Sequence, residues 1–180
     1  MPATETMILV NDRDEQTGTM EKMETHRQGL LHRAFSVFIM DSRGRLLLQR
    51  RAAGKYHCAG LWSNTCCGHP RPGEAVEAAA RRRLQEEMGF SVPLRPAFEL
   101  SYRLPLENGL TEHEYDHVFV GLHDGPVNPD LAEVGDHAFR TVADILDDMT
   151  HSPGLYTPWF ALILPRMQAW VRDNGPVTAS

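Results

Sequence analysis

The sequence predicts an α+β fold, a mixed β-sheet sandwiched by helices in one domain spanning residues 1–180. Three observations carry this. Short β-branched and aromatic runs recur through both halves of the chain, one Ala-, Leu-, Glu- and Arg-rich segment interrupts them, and an apolar helical pattern closes the sequence. With 180 residues the chain is long enough to bury a core without disulfides or a structural metal, and it contains no internal repeat or low-complexity linker. Residues 30–165 are expected to form the catalytic core, and residues 1–6 and 173–180 are expected to be poorly ordered.

In chain order, "MILVN" (7–11) reads as a short strand, "DRDEQTG" as a turn, and "TMEKMETHRQGLLH" as a polar helical or arm segment. "RAFSVFIM", "DSRG" and "RLLLQRR" read as a β-hairpin with Gly44 at its turn. An irregular stretch follows, "AAGKYHCAGLWSNTCCGHPRPG", whose density of Gly, Pro, Cys, His and Trp marks it as a carrier of function. Glu74 to Met88 reads as a helix, preceded by Pro72 and Gly73 and stopped by Gly89. "AFELSYRLPL" and "HEYDHVFVGLH" read as strands around "ENGLT", "HAFRTVADI" as a strand entering a short helix, and "TPWFALILPRMQAWV" as a terminal helix from Pro158.

Composition excludes several classes of function. The longest apolar runs are too short to span a bilayer and the N-terminus has no signal pattern, so no membrane role and a cytoplasmic location are expected. A net charge of -6 argues against nucleic-acid binding, although basic clusters at "LLLQRRAAGK" and "RRR" leave room for a small anion. The three cysteines, two of them adjacent, read as free thiols of a reducing compartment.

Gly68, five residues, Glu74, seven residues, then "RRLQEEMGF" from Arg82 to Phe90 resembles the Nudix signature over 23 positions. One position departs: Arg83 stands where the family carries a glutamate. In Nudix hydrolases the helix glutamates gather Mg²⁺ on a pyrophosphate. A guanidinium there removes a ligand and adds a bidentate phosphate donor, so the site should hold a diphosphate without cutting it. The plainer reading is an Arg83–Glu87 pair on a solvated helix face, worth about 0.3–0.5 kcal/mol.

In "TEHEYDH" strand alternation turns Glu112 and Glu114 to one face and His113 to the other. With His26, His32 and His69 they make a donor set that suits Mn²⁺ or Zn²⁺ better than Mg²⁺, although nine scattered histidines make spacing alone a weak signal.

A longer resemblance adds to this. "GLLHRAFSVFIMD", "RLLLQRRAAGK", "LWSNTCCGHPRPGE", the modified Nudix helix, "SYRLPLENGLTEHEYDHVF" and "YTPWF" together resemble the type 1 isopentenyl-diphosphate isomerases across roughly residues 7–170. The resemblance implies a Nudix-like fold and the interconversion of isopentenyl and dimethylallyl diphosphate, with no phosphate bond broken. It implies that Cys67 and Glu114 are acid and base on opposite faces of the five-carbon unit. Tyr102 would hydrogen-bond Glu114, and Trp159 would face a tertiary carbocation. It implies a metal site at His26, His32, His69, Glu112 and Glu114, and Mg²⁺ arriving with the substrate at Glu87 and the Cys67 carbonyl. Lys22, Arg51, Lys55 and Arg83 would clamp the diphosphate. Cys58 and Ala59 stand where the family commonly shows an aromatic residue and a proline, Trp62 is expected to shape the pocket or core, and Cys66 reads as a packed, inert thiol. A monomer or weak homodimer is expected. The competing readings are a Nudix pyrophosphohydrolase of nucleoside diphosphate derivatives, disfavoured by Arg83, and a silent binding module, disfavoured by Cys67 with Glu114.

Overall fold

The computed structural model describes residues 4–179. Of the termini expected to be poorly ordered, residues 1–3 and 180 lie outside the described residues. Nine strands among the described residues join in one sheet built around β3 (His32–Met40). Its apolar run is buried from Ala34 to Met40, as a strand covered on both faces requires. On one side it pairs in parallel with β8 (Thr111–Leu122), from His32↔Glu114 to Met40↔Leu122. β7 (Arg95–Pro105) lies antiparallel beyond β8, with Tyr102 opposite Glu114.

The other side of β3 is shared by several short strands. β6 (Cys66–Gly68) pairs antiparallel with it, setting Cys67 beside Ser36, and β1 (Thr6–Val10) touches it at Leu9↔His32. β4 (Leu46–Arg51) carries β5 (Trp62–Ser63) and β9 (Val134–Arg140). α2 (Val76–Met88) packs Ala79, Ala80, Leu84 and Met88 on Phe35, Val37 and Ile39. α3 (Val142–His151) and α4 (Pro158–Asn174) cover the opposite face, where Ile145, Trp159, Phe160 and Ile163 meet Phe38, Met40, Val118 and Val120. Alternation along β3 therefore feeds two separate cores, and the predicted sandwich is the observed one.

Four local expectations are corrected. Gln16–Glu21 forms β2, paired with β1, so the segment taken as a polar arm becomes helical only at α1 (Lys22–Gln28). The β3–β4 hairpin is a real turn at Gly44, but its arms pair only at Met40↔Leu46 before diverging to other partners. The irregular stretch contains β5 and β6. The central helix begins at Val76, because Glu74 is drawn into a turn: its backbone N–H donates to Arg71 O and its carboxylate accepts from Arg71 N and twice from Arg82. Two glycines are sterically required. Gly89 caps α2 at φ +78° with a Cβ position 2.1 Å from Asn128 O, and a Cβ on Gly68 would lie 2.7 Å from the Phe35 ring.

Candidate active site

The register of β7, β8 and β3 lines up Tyr102, Glu114 and His32 across three adjacent strands. Strand parity does the rest, since Glu112 and Glu114 are both buried while His113 turns away to bond the Gly29 carbonyl. α1 contributes His26 and the β6 end contributes His69. The ligand atoms of His26, His32, His69 and Glu112 all lie within 4.8 Å of one another. Glu114 closes the group, with Oε1 3.0 Å from His69 Nε2 and 3.6 Å from His32 Nε2.

The donor chemistry fits a divalent ion. His26 Nδ1 is 2.7 Å from Lys22 O and His32 Nδ1 is 2.9 Å from Leu30 O, so both Nδ1 atoms donate to backbone carbonyls and both Nε2 atoms turn inward to the carboxylates, His26 Nε2 lying 2.9 Å from Glu112 Oε1. His32 Nε2 is buried and has no hydrogen-bond partner among the described residues. It faces Glu112 Oε1 at 3.5 Å across the space that a cation would fill. Without a cation, burial opposes protonation of His32, but the neighbouring carboxylates of Glu112 and Glu114, at 3.5 and 3.6 Å, outweigh it and lift the ring to about 10. An ion competes with that proton for the same lone pair.

Cys67 sits on β6 across β3 from Glu114, and alternation sends Cys66 into the opposite core, where burial pushes its thiol well up. Burial, then the charge of Asp116, pushes the Cys67 thiol far above its ordinary range, so it is protonated at neutral pH. Tyr102 is raised by burial and then by Glu114, and its neutral phenol donates to Glu114 Oε2 at 2.5 Å. Trp159, at the start of α4, is 4 % exposed, and its indole N–H donates to Ser63 Oγ at 3.0 Å.

Cys67, His69, Tyr102, Glu112, Glu114 and Trp159 line one cavity of about 570 Å³ whose wall also includes Lys22, Arg51, Lys55, Arg83 and Glu87. The four expected cations thus gather at one place, each already engaged. Lys22 pairs with Glu5 at 2.6 Å, Lys55 with Glu133, and Arg83 with Glu86 at 2.7 Å and with Glu87. Glu87 is 4 % exposed and also accepts from Gln49, so the Arg83–Glu87 pair does not lie on a solvated face. Trp62 pairs with Arg50 and packs against the core cluster that contains Trp159, outside the cavity wall.

Several residues in the wall or just behind it were not singled out by sequence. His57 is buried edge-on to Trp159, with ring centroids 5.5 Å apart, and its carbonyl accepts from the Arg51 guanidinium, which lies 5.3 Å from the Trp159 ring centroid. Burial, followed by Arg51, lowers His57 to about 3 and keeps it neutral. Asp116 extends the Glu112, Glu114 parity by one step, a signal the sequence did contain. It is fully buried, raised by burial and Glu114, and accepts from Ser36 at 2.7 Å. Glu5 enters the same cavity from β1's leading edge, a placement that no local pattern announces.

The NUDIX domain family matches residues 30–160. An isopentenyl-diphosphate Delta-isomerase of Burkholderia multivorans is 54% identical over 162 residues, covering 90% of this chain and 92% of its own. A second, from Serratia proteamaculans, is 47% identical and covers 93% and 97%. Among solved structures, the DR0079 protein of Deinococcus radiodurans aligns at TM-score 0.74 with 20% identity, covering 89% of this chain and 98% of its own, a likeness of fold.

Proposed function

The chain belongs to the isopentenyl-diphosphate Delta-isomerases, built on a NUDIX domain, and from that premise we propose that it interconverts isopentenyl diphosphate and dimethylallyl diphosphate through Cys67 and Glu114. One observation carries this reading: a protonated thiol on β6 and a carboxylate with its phenol on β8 and β7 open onto one cavity from different strands. A double-bond shift needs a proton added at one carbon and removed from another, and two separately held groups can approach the five-carbon unit from opposite faces. One of the pair protonates the alkene, a tertiary cation forms, and the other takes a proton from the neighbouring carbon. The reverse reaction exchanges the roles.

Tyr102 holds Glu114 by its short hydrogen bond and stands ready to pass a proton to it or from it. Trp159 offers its indole to the cation, a desolvated contact worth about 2 kcal/mol, or roughly thirtyfold in rate. Charge on Glu114, which is itself buried, is the larger stabilising influence. His26, His32, His69, Glu112 and Glu114 would hold Mn²⁺ or Zn²⁺, which supplies a fixed positive charge that neutralises and orients the two carboxylates. Glu87 and the Cys67 carbonyl would receive the Mg²⁺ that accompanies the diphosphate, and Lys22, Arg51, Lys55 and Arg83 would bind its oxygens.

Arg83 weighs against the pyrophosphohydrolase reading, since it puts a cation where hydrolysis wants a metal ligand. Three unpaired cysteines suit the reducing cytoplasm. Among the described residues no helix is long and apolar enough to cross a membrane. The large exposed apolar side chains, Leu131, Leu146, Leu155 and Leu162, are few, which supports the reading of a monomer or weak homodimer. The test is incubation with isopentenyl diphosphate and Mg²⁺ in D₂O, followed by NMR. Deuterated dimethylallyl diphosphate is the expected product, and release of phosphate or pyrophosphate overturns the reading.

A further inference from the structure

Between the thiol and the indole runs a buried polar chain; a second neighbour of the thiol, Ser36 Oγ, lies farther off at 3.6 Å and gives its own hydrogen to Asp116 Oδ2. Asn64 is 1 % exposed, and its amide N–H groups donate to Val37 O at 3.1 Å and Cys66 O at 3.0 Å. Both donors are spent, so the side-chain oxygen must be the atom facing Cys67 Sγ, 3.2 Å away, and it accepts the thiol hydrogen. The same oxygen accepts the Ser63 hydroxyl at 2.9 Å. Ser63 Oγ in turn lies 3.0 Å from Trp159 Nε1, which donates to it, and 3.0 Å from Thr157 Oγ1. The Ser63 hydrogen is committed to Asn64, so Thr157 donates as well. Ser63 has thus used its one donor and both acceptor positions.

Thr157 adds an independent sign that the arrangement is built for something other than helix stability. It occupies the N-cap of α4, where a threonine hydroxyl ordinarily accepts from the first turn. Here it makes no such bond and faces Ser63.

We propose that Ser63 and Asn64 are positioning residues that lock the Cys67 thiol and the Trp159 indole into a single frame. The thiol hydrogen is held in one rotamer by Asn64, the indole is held in its plane by Ser63, and the Ser63–Asn64 hydrogen bond ties the two. A proton-transfer group and a cation-facing ring that serve the same five-carbon unit then keep a constant spacing, which is where small misplacements slow a reaction most. The inference rests on the isomerase reading for its kinetic consequence, and on geometry alone for the locking.

Asn64→Ala strips donors from two buried carbonyls and endangers the fold, so Ser63→Ala carries the test. In it, kcat should fall about 10- to 100-fold with KM little changed. The rate of Cys67 alkylation by iodoacetamide, followed by peptide mass spectrometry, should rise severalfold while Mn²⁺ affinity stays as in the wild type. Ser63→Thr, which keeps the hydroxyl, should restore both rates. A wild-type kcat or an unchanged alkylation rate in Ser63→Ala overturns the proposal, as does Ser63→Thr behaving like Ser63→Ala. If the wild-type protein fails to isomerise, the proposed function falls, and the alkylation comparison still decides the locking.

Discussion

Cys67 and Cys66 are neighbours in sequence with opposite fates, because strand parity sends one into the cavity and the other under α2. The same parity exposes Glu112 and Glu114 to the site together. These consequences of a two-residue period could be read from "NTCC" and "TEHEYDH". The roles of His57, Ser63 and Asn64 could not, because they depend on loops and on contacts with Trp159, almost a hundred positions later. At this scale, Cys67→Ala and Glu114→Gln should each lower turnover by at least about 10³-fold, measured by the deuterium NMR assay, with melting temperatures near wild type. Tyr102→Phe removes the 2.5 Å hydrogen bond to Glu114 but keeps the ring in the core, so a smaller loss, on the order of 10²-fold, is expected.

Among the elements, α2 was the most legible, since high-propensity residues run unbroken to a glycine. Its first turn was misread because the Glu74 side chain competes for the local backbone. β2 carries no strand signal because "QTGTME" lacks an apolar face: Gln16, Thr17 and Thr19 are exposed, none of the six residues is buried, and pairing with β1 makes it a strand. The predicted hairpin at Gly44 was right as a turn and incomplete as a pairing, since loop chemistry does not say which strands the arms choose afterwards. Two substitutions test the helix. Leu84 is fully buried between α2 and the sheet, so Leu84→Ala should destabilise by about 2–5 kcal/mol in urea. Gly89→Ala must place a Cβ against the Asn128 carbonyl in a left-handed backbone, so a loss of at least about 1–2 kcal/mol is expected in the same measurement.

For the whole molecule, the predicted sandwich held because both faces of the central strand are apolar, while the strand order was invisible to local patterns. The proposed ion site draws on residues of α1, β3 and β8 and on His69 just after β6, so it can exist only in the folded chain. An ion that binds only the native state should therefore raise the melting temperature: at a hundredfold excess over its Kd the gain is about 2.7 kcal/mol. Calorimetry with added Mn²⁺ or Zn²⁺ should show this rise in the wild type and lose most of it in His32→Ala. A rise of equal size in that variant would place the ion elsewhere.

The parallel register of β3 on β8 has one further consequence. Because side chains alternate, a slip of one residue would turn Glu112, Glu114 and Asp116 away from the histidines while leaving secondary structure nearly intact. Such a molecule would look folded by circular dichroism and yet take up no metal at this centre. If the proposed ion binds there, metal stoichiometry in a purified sample becomes a census of correctly threaded chains, a proofreading signal for assembly that spectroscopy of the backbone cannot supply.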